Sequence, residues 1–289
     1  MKLFFVLYAV SINAMLAAAE STINPDDRHA YGANVGWIDA RGDVATGAVI
    51  GQHFCSGMLW CANVGWISLG AGAPSNGWSY ANDSPADWGV NHDGAGNLTG
   101  FAYGANVGWI AFEQTHGQPR VDLRTGALSG YAWGANIGWI SLANSQALVR
   151  TDTLGTGPDS DGDGIPDAWE WKIAGNLAGL AGAGADQDQD GVPDVDEFIA
   201  DTDPFDNASY LTITAFSRAA GTDEIIWSTQ PTRLYRLLQT DSLLPSPPVW
   251  SDSGLGLVAP LGSSLSAQII DPAATQRFYR VQAILPLTP

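Results

Sequence analysis

Positive charge is scarce in this chain. Among its 289 residues, 12 lysines and arginines stand against 30 aspartates and glutamates, and the net charge is −18. A protein with this balance repels phosphate groups. We therefore expect neither nucleic acid nor anionic membranes among its partners.

Catalytic motifs are missing as well. The chain has 4 histidines, none of them in an HExxH pair, and it contains neither a GxSxG elbow nor a P-loop. His92-Asp93 lies in a glycine-rich stretch that is typical of a turn. Asp39, Glu113 and Asp122 do not recur at one repeat position, which argues against a glycosidase acid pair hidden in the repeats. We expect a protein that is not an enzyme.

Long apolar runs are few. One short run, Leu3 to Val10, follows Lys2 and precedes Ala17-Ala18-Ala19. This pattern is typical of a secretory signal peptide and is too short for a membrane span. No later segment has about twenty apolar residues in a row. We expect residues 1–19 to be removed after Ala19, and the mature protein to be secreted or held at the cell surface without integral membrane contact.

Only two cysteines are present, Cys55 and Cys61. In an exported protein they favour a disulfide that closes a small loop. A metal site is less favoured, because His53 is the only further ligand nearby.

Two acidic stretches have nearly the same sequence: DSDGDGIPDAWE begins at Asp159 and DQDQDGVPDVDE at Asp186. Each places carboxylates at positions 1, 3, 5, 9 and 12, glycine at position 6, and a backbone carbonyl at position 7, as a Ca²⁺-binding loop requires. Glycine lacks the Cβ that would forbid the sharp reversal at position 6. The predicted ligands are Asp159, Asp161, Asp163, Ile165, Asp167, Glu170, Asp186, Asp188, Asp190, Val192, Asp194 and Glu197.

The flanks of these loops indicate one helix per loop. Residues 153–158 are poor helix formers, whereas 168–174 and 195–200 are good ones. A loop followed by a short helix resembles the dockerin and thrombospondin type 3 families of calcium repeats, over residues 152–207. The second unit ends in a T-D-P tail, and in thrombospondin type 3 repeats extra aspartates complete or bridge sites. This resemblance implies Asp201, Asp203 and Asp206 as further ligands and two or more Ca²⁺ ions.

The charge of the acidic segment supports a bound cation. Residues 152–206 hold fifteen of the chain's 30 acidic residues and a single lysine, Lys172. Such a density repels itself. Outside the cell, a site with a Kd of about 10⁻⁴–10⁻³ M is useful.

Residues 20–151 contain a fourfold repeat. Gly/Cys-Ala-Asn-(Val/Ile)-Gly-Trp-Ile recurs, with spacings of 29, 43 and 30 residues between its tryptophans. Its period-two alternation around an Asn turn predicts short antiparallel strands, and one unit alone is too small to fold. The first copy begins mid-unit, and residues 146–151 look like the start of another. A late strand is therefore expected to complete the first repeat and close a barrel- or propeller-like domain.

The repeated aromatics have two interpretations. Either the tryptophans form a stacked core and the asparagines are turn residues, which we favour, or the aromatic faces bind sugar rings. The candidate ligand-binding residues are Asn34, Trp37, Asn63, Trp66, Asn106, Trp109, Asn136 and Trp139. The pattern resembles repeats in secreted bacterial proteins of unassigned function, and that resemblance supplies no activity.

Residues 208–289 alternate strand patterns with turn signals, which predicts a small β-sandwich. Their aromatic pattern resembles a C-terminal domain of exported bacterial proteins that carry similar calcium repeats. The expected fold is mainly β: a four-repeat domain, a calcium-binding loop-helix module and a β-sandwich. The leading hypothesis is a secreted structural or adhesion protein in which calcium makes the connector rigid. Its alternatives are a lectin-like module that binds polysaccharide, and calcium-dependent docking to a surface protein.

Overall fold

The computed structural model describes residues 20–43, 45–182, 184–262, 264–270 and 276–288. The predicted signal peptide, residues 1–19, lies outside these ranges. The fold is mainly β, as expected, with two helices of seven residues, α1 (Asp167–Ile173) and α2 (Asp194–Ala200). Within the described ranges, no helix has the length and apolar character needed to cross a bilayer.

The repeat region forms short strands joined by tight turns. Its strands are β1 (Ile23–Gly32), β2 (Gly36–Asp39), β3 (Val49–Ile50), β4 (Cys55–Ser56), β5 (Met58–Cys61), β6 (Gly65–Ser68), β7 (Val90–His92), β8 (Leu98–Gly104), β9 (Gly108–Phe112), β10 (Arg120–Val121), β11 (Leu128–Ser129), β12 (Tyr131–Gly134), β13 (Gly138–Ser141) and β14 (Val149–Thr151).

Eight of these strands close into an antiparallel barrel. The order is β13-β12-β9-β8-β6-β5-β2-β1, and β1 pairs with β13 to complete the circle. Each repeat contributes one hairpin: β1–β2, β5–β6, β8–β9 and β12–β13. The late strand β14 pairs with β1, with Thr151 opposite Ile23. The predicted closure, with a late strand joining the first repeat, is confirmed.

The barrel interior is filled by aliphatic side chains. The isoleucine that follows each repeat tryptophan is at most 4 % exposed, and these residues are Ile38, Ile67, Ile110 and Ile140. Small residues such as Ala102 and Ala132 lie opposite them across the hairpins. An eight-stranded barrel is just wide enough for such a filling.

The favoured interpretation of a tryptophan core is wrong. Trp37 is 49 % exposed and Trp66 41 % exposed, and Trp109 and Trp139 are exposed to similar degrees. Side chains alternate between the two faces of a strand. Burial of the isoleucine in Gly-Trp-Ile therefore places the tryptophan outside.

The asparagines hold one end of the barrel together. In each repeat the Asn amide nitrogen donates to a backbone carbonyl of the preceding repeat, and the first repeat donates to the fourth. The four bonds are Asn34 to Ile137 (3.1 Å), Asn63 to Val35 (2.9 Å), Asn106 to Val64 (3.0 Å) and Asn136 to Val107 (3.0 Å). We call this circuit the asparagine ring.

The expected disulfide is also wrong. Cys55 and Cys61 are both buried and free in the described structure. Cys55 faces Ile50 across the β3–β4 pair, whereas Cys61 faces Ile38 across the β2–β5 pair. Different strand partners hold the two thiols, and both pack in the barrel core as small apolar groups.

The C-terminal part contains six strands: β15 (Ile213–Ala219), β16 (Thr222–Ser228), β17 (Leu234–Thr240), β18 (Ser251–Asp252), β19 (Ser264–Ile270) and β20 (Phe278–Ile284). They form two antiparallel sheets, β15-β16-β19 and β18-β17-β20. One hydrophobic cluster contains residues of both sheets, including Trp227 of β16 and Tyr235 of β17.

The acidic segment touches both β regions. Leu154 N–H donates to Leu287 O (3.4 Å), and Gln52 N–H donates to Gly155 O (2.9 Å). At the end of α2, Arg233 donates to the carbonyls of Phe198 (2.6 Å) and Ile199 (2.7 Å). The acidic segment is therefore hydrogen-bonded to the barrel and to the C-terminal part of the chain.

Candidate metal centre and aromatic surface

The two acidic loops have the same local conformation. The carboxylate at position 1 accepts the N–H of the position-6 glycine, from Gly164 to Asp159 (3.0 Å) and from Gly191 to Asp186 (2.9 Å). These glycines have φ of +96° and +95°, in the left-handed region that a side chain disfavours. The two loops are thus two copies of one fold.

The remaining loop bonds repeat in the same way. The position-5 carboxylate accepts the position-7 N–H, from Ile165 to Asp163 (2.8 Å) and from Val192 to Asp190 (2.7 Å). The position-9 carboxylate bends back to position 2: Asp167 accepts the N–H of Ser160 (2.7 Å), and the second loop repeats this bond. These bonds hold each chain in a tight coil around a centre.

Each coil brings carboxylate oxygens together. Asp159, Asp161 and Asp163 each offer an oxygen within 4.8 Å of the others, and Asp186, Asp188 and Asp190 do the same. Such a spacing suits oxygen ligands about 2.3–2.6 Å from one ion.

The glutamates at position 12 are the most informative residues of the site. Glu170 and Glu197 are both 0 % exposed. Within the described ranges, neither Glu170 oxygen has a hydrogen-bond partner, and Glu197 Oε2 has none either. A buried carboxylate without a partner carries a large desolvation cost, which a coordinated cation removes. The donor set, all oxygen and mostly anionic, therefore fits Ca²⁺.

The electrostatics of these glutamates agree with that geometry. Burial, and then repulsion from Asp161 and Asp163, raise the pKa of Glu170 to about 7. Burial raises the pKa of Glu197 to about 7, while a hydrogen bond from Thr202 opposes the shift. Each site therefore places a buried glutamate beside the half-buried or exposed aspartates of its loop, and negative charge is concentrated there.

Packing between the helices fixes the position-12 residues. Trp169 of α1 meets Phe198 of α2 edge to face, with ring centroids 5.5 Å apart, and Ile165 and Leu180 complete a small buried cluster. The side chain of Ile165 lies in this cluster at position 7 of the first loop. The loops are therefore built on a common apolar support.

The three aspartates that the resemblance implied as further ligands, Asp201, Asp203 and Asp206, have protein partners in the structure. Asp201 accepts hydrogen bonds from Trp169 Nε1 (3.0 Å) and from Thr232 Oγ1. Two cations flank it, Lys172 at 3.7 Å and Arg233 at 3.8 Å. The structure thus gives Asp201 a role in joining the helices to the C-terminal sheets, at a contact we call the junction. The implied ligands Asp203 and Asp206 cap the following turn through Phe205 N–H (3.0 Å) and Ala208 N–H (3.1 Å).

A small cavity of about 10 Å³ lies at the junction. It is lined by residues of all three segments, including His53, His92, Asp201 and Arg233. Burial, and then Lys172, lower the pKa of His53 to about 4. The histidine is thereby held neutral near pH 7.

The aromatic residues form the second candidate surface. Each repeat tryptophan faces an aromatic residue directly across its hairpin, and the pairs are Tyr31–Trp37, Trp60–Trp66, Tyr103–Trp109 and Trp133–Trp139, with centroids 4.8–5.2 Å apart. All eight are 38–49 % exposed. We call them the aromatic belt. The opposite partner in each pair was not among the candidate ligand residues, although it lies three residues before the asparagine of the Asn-x-Gly turn and on the same face as the tryptophan.

The other sequence candidates have structural roles. The asparagines are engaged in the ring described above. His92 is buried, with Nδ1 2.8 Å from Gly51 O and Nε2 accepting from Gly96 N–H (3.1 Å). Glu113 accepts the backbone N–H of Gly117 (2.7 Å), and Asp122 accepts that of Arg124 (2.9 Å). These carboxylates cap turns.

Within the part of the chain that the structure describes, the exposed belt and the paired acidic loops both offer chemistry to a ligand. Comparison with protein-family models, with characterised proteins and with solved structures gives no significant match.

Proposed function

We propose that the protein is a secreted, calcium-stabilised structural or adhesion protein, in which two Ca²⁺ ions make a rigid connector between the barrel and the C-terminal sheets. The observation that carries this proposal is the burial of Glu170 and Glu197 beside two triads of aspartates: among the described residues, neither Glu170 oxygen has a hydrogen-bond partner, and Glu197 Oε2 has none either. The predicted ligands at positions 1, 3, 5, 7, 9 and 12 of both loops would hold the ions. Each calcium ion would compensate the negative charge of its carboxylate ligands and link the residues of its loop to one another, and it would take part in no reaction.

Each loop and its helix would form a unit of a small loop-helix module, and the C-terminal sheets would form a β-sandwich that closes on the cluster around Trp227. The junction supports a rigid role, because Asp201 and Arg233 join both helices to that second β region. The short helices disfavour the docking alternative. Seven residues that bury Trp169 and Phe198 leave little helix face for a partner.

Calorimetry tests this function on the full chain. Calcium at ten to a hundred times its Kd stabilises a folded site by about 1.4–2.7 kcal/mol. We expect the melting temperature to fall when EDTA replaces calcium and to recover when calcium is returned. A melting temperature that EDTA does not change would contradict the proposal. Excess magnesium in place of calcium is the control for ionic strength.

The exposed belt favours carbohydrate binding as a second function. A sugar ring has an apolar face that an aromatic face can cover, and tryptophan and tyrosine do so at little conformational cost. A contiguous aromatic patch on a protein surface marks an interaction site. A panel of immobilised glycans, probed with the full chain in calcium, tests it: retention by no polysaccharide would reject this function.

A further inference from the structure

Two open grooves lie on the barrel, each at a boundary between one repeat and the next, which we call a seam. At each seam, the loop that leaves one repeat runs beside the first strand of the next. His29 N–H donates to Leu148 O (3.0 Å) at one seam, and Tyr131 N–H donates to Gly117 O (2.8 Å) at the other. His29 and Tyr131 hold the same repeat position, since each lies two residues before the belt residue of its strand. The same bond recurs at the other two seams, from Met58 N–H to Thr46 O (2.8 Å) and from Phe101 N–H to Gly89 O (3.0 Å), so the four seams share one backbone arrangement and two of them carry an open groove.

The grooves are of a size suited to a small ligand. The first has a volume of about 500 Å³ and the second about 520 Å³, within the range of about 300–1,000 Å³ found for ligand sites. At the other two seams, a residue of the connecting loop packs against the belt rings. Trp88 packs on Trp109 with centroids 5.0 Å apart, and Gly42 lies against the rings of Trp60 and Trp66.

Each groove is lined by aromatic rings, which we call its wall, and by amide side chains, which we call its floor. In the first, the ring centroids of Trp37 and His29 are 6.0 Å apart, and the exposed loop residues Asn144 and Gln146 line the same groove. In the second, Tyr131 forms the wall beside Gln118. Amide side chains both donate and accept hydrogen bonds, as a ring of sugar hydroxyls requires.

We infer that these two grooves are the subsites of the barrel for a neutral oligosaccharide, an inference that rests on the second proposed function. An aromatic wall covers the C–H face of a sugar, and the amide floor bonds to its hydroxyl groups. Charge selects the class. Asp26 and Asp27 border the first groove, so uronates and sulfated sugars are repelled there. The second groove has Arg120 in its lining, and the net charge of −18 on the whole chain opposes the approach of an anionic sugar to it.

Titration calorimetry of the full chain in calcium tests the inference, with cellohexaose, xylohexaose and mannohexaose as neutral probes and hexagalacturonate as the anionic probe. We expect at least one neutral probe to bind with two sites per chain. Trp37→Ala should leave one site, and the double variant Trp37→Ala/Tyr131→Ala should weaken binding at least tenfold. Trp66→Ala is the matched control, because Trp66 holds the same repeat position and is about as exposed, yet lies outside both grooves. It should stay within twofold of the native chain.

The outcomes separate the two levels of the proposal. If Trp66→Ala loses as much affinity as Trp37→Ala, binding is spread around the belt, and the assignment to grooves fails while carbohydrate binding stands. If only hexagalacturonate binds, the neutral class is wrong. If no probe binds at millimolar concentration, the grooves are rejected as subsites for a neutral oligosaccharide, and the panel of immobilised glycans decides separately whether the second function stands. Melting temperatures of the variants, expected to match the native chain because the replaced rings are exposed, exclude misfolding as the cause.

Discussion

Replacing Glu170 with glutamine should change stability in opposite directions with and without calcium. In the calcium-free protein, Glu170 is a fully buried carboxylate whose oxygens have no partner among the described residues. An uncompensated buried charge costs about 3–5 kcal/mol, and an unsatisfied buried amide costs about 1–3 kcal/mol. Glu170→Gln should therefore raise the free energy of unfolding by about 2 kcal/mol in EDTA.

With calcium the sign reverses, because the variant loses the position-12 ligand of the first loop. At a hundred times the Kd, each site contributes about 2.7 kcal/mol, so the total gain from calcium should fall by about half. Denaturant unfolding in EDTA and in saturating calcium measures both effects. Asp196→Asn is the matched control: it removes an exposed carboxylate of the same module that is not a predicted ligand. Equal calcium gains in Glu170→Gln and the native chain would refute the assignment of this residue as a ligand.

Two further predictions test the barrel and the junction. Ile67→Ala should lower the free energy of unfolding by about 2–5 kcal/mol, because Ile67 is fully buried. Replacement of the neighbouring residue, Trp66→Ala, should lower it by less than about 1 kcal/mol. Comparable losses for the two variants in urea unfolding would contradict the placement of tryptophan outside the barrel. The lowered pKa of His53, about 4 against an ordinary 6.5, means that the unfolded chain binds the proton first as pH falls. The free energy of unfolding should therefore decline between pH 6.5 and pH 4, and protonation of His53 should account for about 3 kcal/mol of the loss at pH 4. In melts recorded across this pH range, His53→Gln should remove the contribution of this group to the decline. An unchanged pH dependence in the variant would contradict a buried, neutral histidine.

The two acidic loops show what a sequence pattern can establish. The spacing of carboxylates around Gly164 and Gly191 predicted which residues converge, and the structure brings the first three aspartates of each loop together. This works because all the interactions are local, within twelve residues. The implied role of Asp201 depended on residues far along the chain. Thr232 and Arg233 engage its carboxylate, and no local signal indicates that contact.

The barrel shows the opposite limit. Period-two alternation placed Trp37 and Ile38 on opposite faces, but it does not say which face is inside. The number of strands decides: a circle of eight has room for isoleucine and alanine, and the larger indole rings remain outside. The predicted disulfide between Cys55 and Cys61 is wrong because distance in sequence does not determine which strands pair. Nearness in sequence suggested a bond, while pairing to β3 and to β2 gives Cys55 and Cys61 separate neighbours.

The asparagine ring has no first or last member. Asn34 of the first repeat reaches Ile137 of the fourth just as Asn63 reaches Val35, although only the second of these contacts joins repeats that are consecutive in the chain. The fold thus does not distinguish a seam bridged by the peptide chain from one bridged by hydrogen bonds alone. Residues 23 and 151 lie side by side on β1 and β14. A circularly permuted gene, with these ends linked and new termini opened in the insert between the second and third hairpins, should encode the same barrel.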